Sequence, residues 1–183
     1  LSGGGSLPSV YFEENPNPSL RQTNPLRYDF ESELVRAAWR NGVPMLGICR
    51  GHQTIAEALG GELLRDLRAA GYPEHYQAQP PATVTHQISI DAASLLGRLV
   101  GSEARVNSLH RQTVAVPPPG WRVCAWSPEG LVEAIEALDR FAVGCQFHPE
   151  WLGAGTPGFS ALFTELVAAC TGRNASELTS ATR

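Results

Sequence analysis

Residues 43–53 run Val43-Pro44-Met45-Leu46-Gly47-Ile48-Cys49-Arg50-Gly51-His52-Gln53. The apolar part reads as a short buried strand. Gly47-x-Cys49-x-Gly51 is a tight strand-to-helix turn, and a helical pattern follows to about Leu59, where Gly60-Gly61 stops it. That is the layout of a nucleophile elbow, with a thiol where a hydroxyl is usual. Glycines flank the nucleophile because the turn is sharp and leaves no room for side chains. The helix then aims its N-terminal N–H groups and positive dipole end at the sulfur. An inert buried cysteine at a strand end is the bland alternative. The paired glycines and the strand–helix context weigh against it.

A thiol nucleophile needs a base, and residues 141–150 offer one: Phe-Ala-Val-Gly-Cys-Gln-Phe-His-Pro-Glu. An apolar strand over 143–147 ends at His148, and Glu150 follows two residues on. Histidine suits proton transfer near neutral pH. Glu150 is placed to hold its imidazole in one tautomer, the orienting role in a triad. Pro149 stiffens the turn. Cys49 and His148 each close an expected parallel strand, and open α/β sheets carry their sites outside the carboxyl ends of strands. At the start of the chain, Leu1-Ser2-Gly3-Gly4-Gly5-Ser6 lets backbone N–H groups approach a ligand. Such a stretch also reads as a plain flexible linker.

These motifs, in this order, resemble the class I glutamine amidotransferase-like superfamily, and more closely its γ-glutamyl hydrolase (peptidase C26) branch. The matching residues are Gly3 to Gly5, Gly47 to Gln53, Val106-Asn107-Ser108-Leu109-His110-Arg111-Gln112, and His148-Pro149-Glu150. The likeness runs up to about Gly172. Arg111 and Ser6 depart from the branch's commoner His and Asp or Glu. The resemblance implies an α/β fold of three layers: an open mixed, mostly parallel sheet with helices on both faces, of the flavodoxin-like kind. First strands and helices usually precede the glycine loop in that branch. Residues 1–171 are therefore expected to be one hydrolase domain, shortened at its start, with 172–183 a disordered tail.

The resemblance further implies cysteine-dependent hydrolysis of a γ-glutamyl amide, such as γ-glutamyl-γ-aminobutyrate, through a thioester, as in polyamine degradation. Cys49, His148 and Glu150 are its expected triad. Backbone N–H groups of Gly4, Gly5 and Arg50 are its oxyanion hole. Gln53, Asn107, Ser108 and His110 are its substrate contacts. No metal and no organic cofactor is expected. Two other readings compete: a glutaminase subunit supplying ammonia to a separate synthetase, and an inactive binding relative.

Composition fits a soluble globular protein. The chain has 183 residues, 43% of them hydrophobic, and a formal net charge of -4. Neither nucleic acid nor a membrane is an expected partner, since no general basic surface and no spanning apolar run occurs. The expected partner is a small γ-glutamyl molecule, a homodimer is left open, and a reducing cytoplasm suits the thiol. Cys124, Cys145 and Cys170 lie in apolar patterns as inert core thiols. Asn174-Ala175-Ser176 matches a glycosylation sequon by chance.

Elsewhere, Asn24-Pro25 opens a helix to about Arg40 with Phe30, Leu34, Ala37 and Ala38 on one face. Residues 7–25 and 66–82 read as loops, the latter placing His75 at the surface. Residues 83–90 form a strand holding His86, read as a satisfied histidine, and 92–100 a short helix. Short strands at 105–107 and 113–116 flank the His110 loop. Residues 121–126 and 131–138 make a hairpin, and 157–170 the last helix. His52 is expected to pack rather than react.

Overall fold

Asn24 and Pro25 start the first helix as their chemistry dictates. In the computed structural model, which describes residues 1–4 and 24–172, helix α1 (Pro25–Arg40) has the Asn24 side chain accepting the Arg27 N–H at 3.1 Å. That bond satisfies one of the orphan donors of the first turn. Asn24→Ala is expected to cost about 1 kcal/mol of stability, read as a lower urea midpoint at unchanged slope. The buried face of α1 differs from the one expected. It is centred on Ser32 and Val35, with Ala38 and Trp39 packed behind. Phe30 and Leu34 point outward at 69% and 49% exposure. The inward stripe is set by the neighbour α1 meets, not by its most apolar line.

That neighbour is α2 (Arg50–Ala58), which follows the wholly buried strand β1 (Met45–Ile48). Next come β2 (Glu62–Leu64), β3 (His86–Ile90), α3 (Leu95–Val100), β4 (Glu103–Val106), β5 (Thr113–Val116) and β6 (Trp121–Trp126). The described chain closes with β7 (Val132–Ala137), β8 (Ala142–Cys145), a 3₁₀ turn (Pro149–Trp151) and α4 (Pro157–Thr171). Six strands form one sheet in the order β1-β8-β7-β6-β3-β4. β1 and β8 run parallel, and the remaining pairs in this sheet are antiparallel. β2, which no sequence signal marked, pairs antiparallel with β5 in a separate ribbon. It is three residues long, too short to show periodicity.

Helices cover both faces of the sheet. On one face Val35, Ile55, Ala56 and Ala58 of α1 and α2 pack with Met45, Ile135 and Ala142. On the other, Leu96, Phe159 and Leu162 of α3 and α4 pack with Leu46, Val143 and Phe147. The mixed α/β class is thus the expected one. Ser94 caps α3 by accepting the Gly97 N–H at 2.8 Å, so this helix starts later than the apolar pattern suggested. Cys124 and Cys145 are buried, but Cys170 is exposed, because α4 turns Phe159, Leu162 and Ala168 inward instead. No helix among the described residues is long and apolar enough to cross a membrane. Gly5, the 7–23 part of the expected loop, the sequon and residues 173–183 lie outside the described residues.

One parallel pairing positions the site. β1 and β8 are in register from Met45↔Ala142 to Ile48↔Cys145, so Cys49 and the 146–148 turn leave the sheet side by side. The Cys49 N–H donates to the Cys145 carbonyl at 2.7 Å and extends the ladder by one step. The other edge of β1 is met by the start of the chain. There Ile48 N donates to Leu1 O at 3.0 Å, and the Leu1 amino group to Leu46 O at 2.7 Å.

Candidate active site

Cys49 sits at the N-cap of α2 with φ 50 and ψ -104, and is the one non-glycine residue with positive φ among the described residues. Left-handed backbone strains a side chain bearing a Cβ, and such strain concentrates at functional sites. The turn closes so tightly that a Cβ at Gly47 would stand 2.7 Å from the Gly51 backbone and from Ile55 Cδ1. A Cβ at Gly51 would collide with the Leu1 carbonyl. Both glycines of the elbow are therefore required by contact.

The sulfur lies in a cage of amides. Gln146 Nε2 donates to Cys49 Sγ at 3.7 Å, and the Leu109 carbonyl is 3.9 Å from it. Gln53 donates through Nε2 to Gln146 Oε1 (3.0 Å) and to the Gln112 carbonyl (2.8 Å). The chain Gln112–Gln53–Gln146 thus fixes the amide that touches the sulfur. Sequence reading missed Gln146, although it lies two residues before His148 at the end of an apolar strand.

His148 follows on the turn after β8. Its Nδ1–H donates to Glu150 Oε1 at 2.7 Å, and its ring also engages Cys49. Burial on its own would depress the imidazole's pKa. The hydrogen bonds and charges of Cys49 and Glu150 outweigh that and raise it to about 10. His148 therefore carries its proton throughout the neutral range. It loses it as pH rises through about 10, so the alkaline fall of kcat/KM is expected there. Glu150→Gln removes a charge that holds the proton on. The alkaline limb of its kcat/KM profile should move to lower pH, and an unmoved limb would reject the orienting role of Glu150.

Asn107 holds this turn from both sides. Its Oδ1 accepts the His148 N–H at 2.8 Å and its Nδ2 donates to the His148 carbonyl at 3.2 Å. Gly3 lies against the imidazole, where a Cβ would stand 2.7 Å from His148 Cε1. Gly4 abuts the Arg50 side chain. Arg27 pins this segment, donating through Nη2 to the Ser2 and Gly3 carbonyls at 3.0 and 3.1 Å while its Nε pairs with Glu31. Nothing in the sequence singled out Arg27, a helical arginine distant from every motif.

Cys49, His148, Glu150, Gly4 and Arg50 thus come together. The four side chains expected at substrate sit differently. Gln53, Asn107, Ser108 and His110 are all buried and bonded internally. Ser108 Oγ donates to the His75 carbonyl at 2.6 Å, and the Ser108 N–H to Gln77 Oε1 at 2.6 Å. His110 turns inward, its Nδ1 3.0 Å from the Gln112 carbonyl. His75 is not at the surface but 5% exposed, because the 66–82 loop folds over the His110 segment and pairs with it at Tyr76↔Leu109. His52 is fully buried against Gly144, and burial lowers its pKa to about 3, so it stays neutral.

Residues 1–150 match the family model described as peptidase C26. Over 157 residues the chain is 36% identical to protein NtpR of Enterococcus hirae, covering 82% of this chain and 65% of that one. Over 172 residues it is 33% identical to the gamma-glutamyl-gamma-aminobutyrate hydrolase of Escherichia coli K12, covering 89% and 66%. The chain thus spans just under two thirds of the length of these relatives. Among solved structures, a putative GMP synthase protein from Thermoplasma acidophilum superposes with TM-score 0.61 at 22% identity, over 79% of this chain and 65% of that one. A glutamine amidotransferase from Thermotoga maritima gives 0.56 at 19%, over 96% and 65%. At these identities the two structures speak for the fold alone.

Proposed function

The chain belongs to the peptidase C26 family, and from that premise we propose that it hydrolyses a γ-glutamyl amide, with Cys49 as nucleophile. The observation that carries this reading is the strained Cys49 on α2, engaged by a His148 that Glu150 holds at 2.7 Å. With the Cys49 proton held on His148, the thiolate sulfur attacks the γ-carbonyl carbon. The resulting oxyanion is received by the N–H groups of Gly4 and Arg50. His148 gives its proton to the leaving amine, and the C–N bond breaks to leave a γ-glutamyl thioester. The now neutral His148 takes a proton from water, which attacks the thioester and releases glutamate.

Within this scheme Gln53 and Asn107 are positioning residues, acting through Gln146 and through the His148 backbone. Ser108 and His110 contribute the shape of their segment rather than side-chain contacts, since both side chains are turned into the interior. The γ-aminobutyrate amide is the substrate class suggested by the name of the Escherichia coli relative.

The experiment measures glutamate release from γ-glutamyl-γ-aminobutyrate and from glutamine, with Cys49→Ala as control. Cys49-dependent release that is faster from the γ-glutamyl amine is expected. Faster release from glutamine would replace this reading with that of an ammonia-supplying protein. Release from neither substrate by the folded chain would overturn it.

A further inference from the structure

Behind the Cys49 cage lies a second cluster that the proposed reaction does not use. Glu133, on the central strand β7, is fully buried. Three imidazole nitrogens surround its Oε1: His86 Nε2 at 3.2 Å, His110 Nε2 at 3.6 Å and His75 Nδ1 at 3.7 Å.

The tautomers make this arrangement unstable as it stands. His110 Nδ1 faces the Gln112 carbonyl at 3.0 Å, and a carbonyl only accepts, so Nδ1 carries a hydrogen. In a neutral ring Nε2 then presents a lone pair to a carboxylate oxygen. That nitrogen and Glu133 Oε2 are both buried and have no hydrogen-bond partner. Either a proton or a metal cation must therefore lie between them. The 3.6 and 3.7 Å separations are long for a shared proton. They are close to the edge of a tetrahedron with bonds of about 2.0–2.1 Å, which is about 3.3–3.4 Å. One donor atom each from His75, His110 and Glu133 lies within 4.8 Å of the others.

We propose that His75, His110 and Glu133, backed by His86, bind one divalent metal ion of the zinc class. Two imidazoles and a carboxylate suit such ions. A pocket of about 440 Å³, lined in part by His75, His86, Ser108 and Glu129, borders the His75 and His86 side of the cluster. Glu129 Oε2, 3.7 Å from His75 Nε2, adds negative charge at its mouth. The ion ties the 66–82 loop, β3, the His110 segment and β7 together. Its effect reaches the cage through Gln146, whose N–H donates to the Glu133 carbonyl at 2.8 Å.

The test uses chelator-stripped protein carrying Cys49→Ala, so that the sulfur and His148 cannot form a rival site. Cobalt(II) is titrated while the visible ligand-field bands are followed, and zinc is then added as competitor. One equivalent per chain, displaced by zinc, is expected. His75→Asn and Glu133→Gln should each weaken binding at least about 10-fold. Zinc at about 100 times its Kd should raise the melting temperature by about 5–10 °C. No saturable binding in the Cys49→Ala background, or binding untouched by both substitutions, would overturn the proposal and leave a proton-sharing network. If circular dichroism shows Glu133→Gln unfolded, His75→Asn, which lies on a loop, decides alone.

Discussion

Cys49→Ala is expected to lower γ-glutamyl amide hydrolysis by about 10⁴–10⁶-fold, the usual cost of deleting a covalent nucleophile. Its melting temperature should stay within about 2 °C of the parent, because the sulfur's contacts with Gln146 and Leu109 are long and weak. Alanine keeps the Cβ and so keeps the strain of φ 50. Cys49→Gly is the informative companion. It is equally inactive, yet glycine adopts this backbone freely and should be more stable than the alanine variant by about 1 kcal/mol. Activity of Cys49→Ala within tenfold of the parent would remove Cys49 from the mechanism. Equal stability of the two variants would show that the elbow stores no strain.

Gly47→Ala is the substitution with the largest expected effect on the fold itself. A single methyl there meets the Gly51 backbone and the tip of Ile55 at 2.7 Å. The side chain of Ile55 can shift, but the Gly51 peptide is fixed in the first turn of α2. Overpacking against backbone costs about 2–4 kcal/mol, which lowers the melting temperature by about 4–16 °C in a chain of this size. Relaxation must move α2 and with it Cys49, so turnover should fall together with stability. A variant that melts with the parent and turns over normally would show that α2 has room to slide.

Both predictions concern a turn that was legible in the sequence, because its demands are local. Gly47, Cys49 and Gly51 are two residues apart, and much of the steric reason for the glycines lies within the turn and the first two turns of α2. The same holds for Asn24-Pro25 at the start of α1 and for the Trp121–Ala137 hairpin. What escaped is what depends on distant neighbours. Phe30 and Leu34 were the apolar line of α1, but packing against α2 selected Ser32 and Val35 instead. His75 sits in a polar, proline-flanked segment and reads as surface. Only the closure of that segment over His110 buries it. Glu133 is an acidic residue in an alternating strand, and no local pattern tells that three histidines from other segments converge on it. Gln53, Asn107 and Ser108 were singled out as polar residues near the site. Their bonding partners, not their positions, were the part that sequence could not supply.

The parallel pairing of β1 with β8 also fixes when this site comes into being. Ninety-six residues separate Ile48 from its partner Cys145, and parallel pairing offers no hairpin through which to close that gap stepwise. The loop entropy must be overcome before the contact yields anything. Until it closes, a thiol and an imidazole exist on the chain without being a site. The antiparallel strands between them can form from nearer neighbours in the meantime. Any opening between β1 and β8 therefore parts the thiol from the imidazole even while the antiparallel strands stay paired.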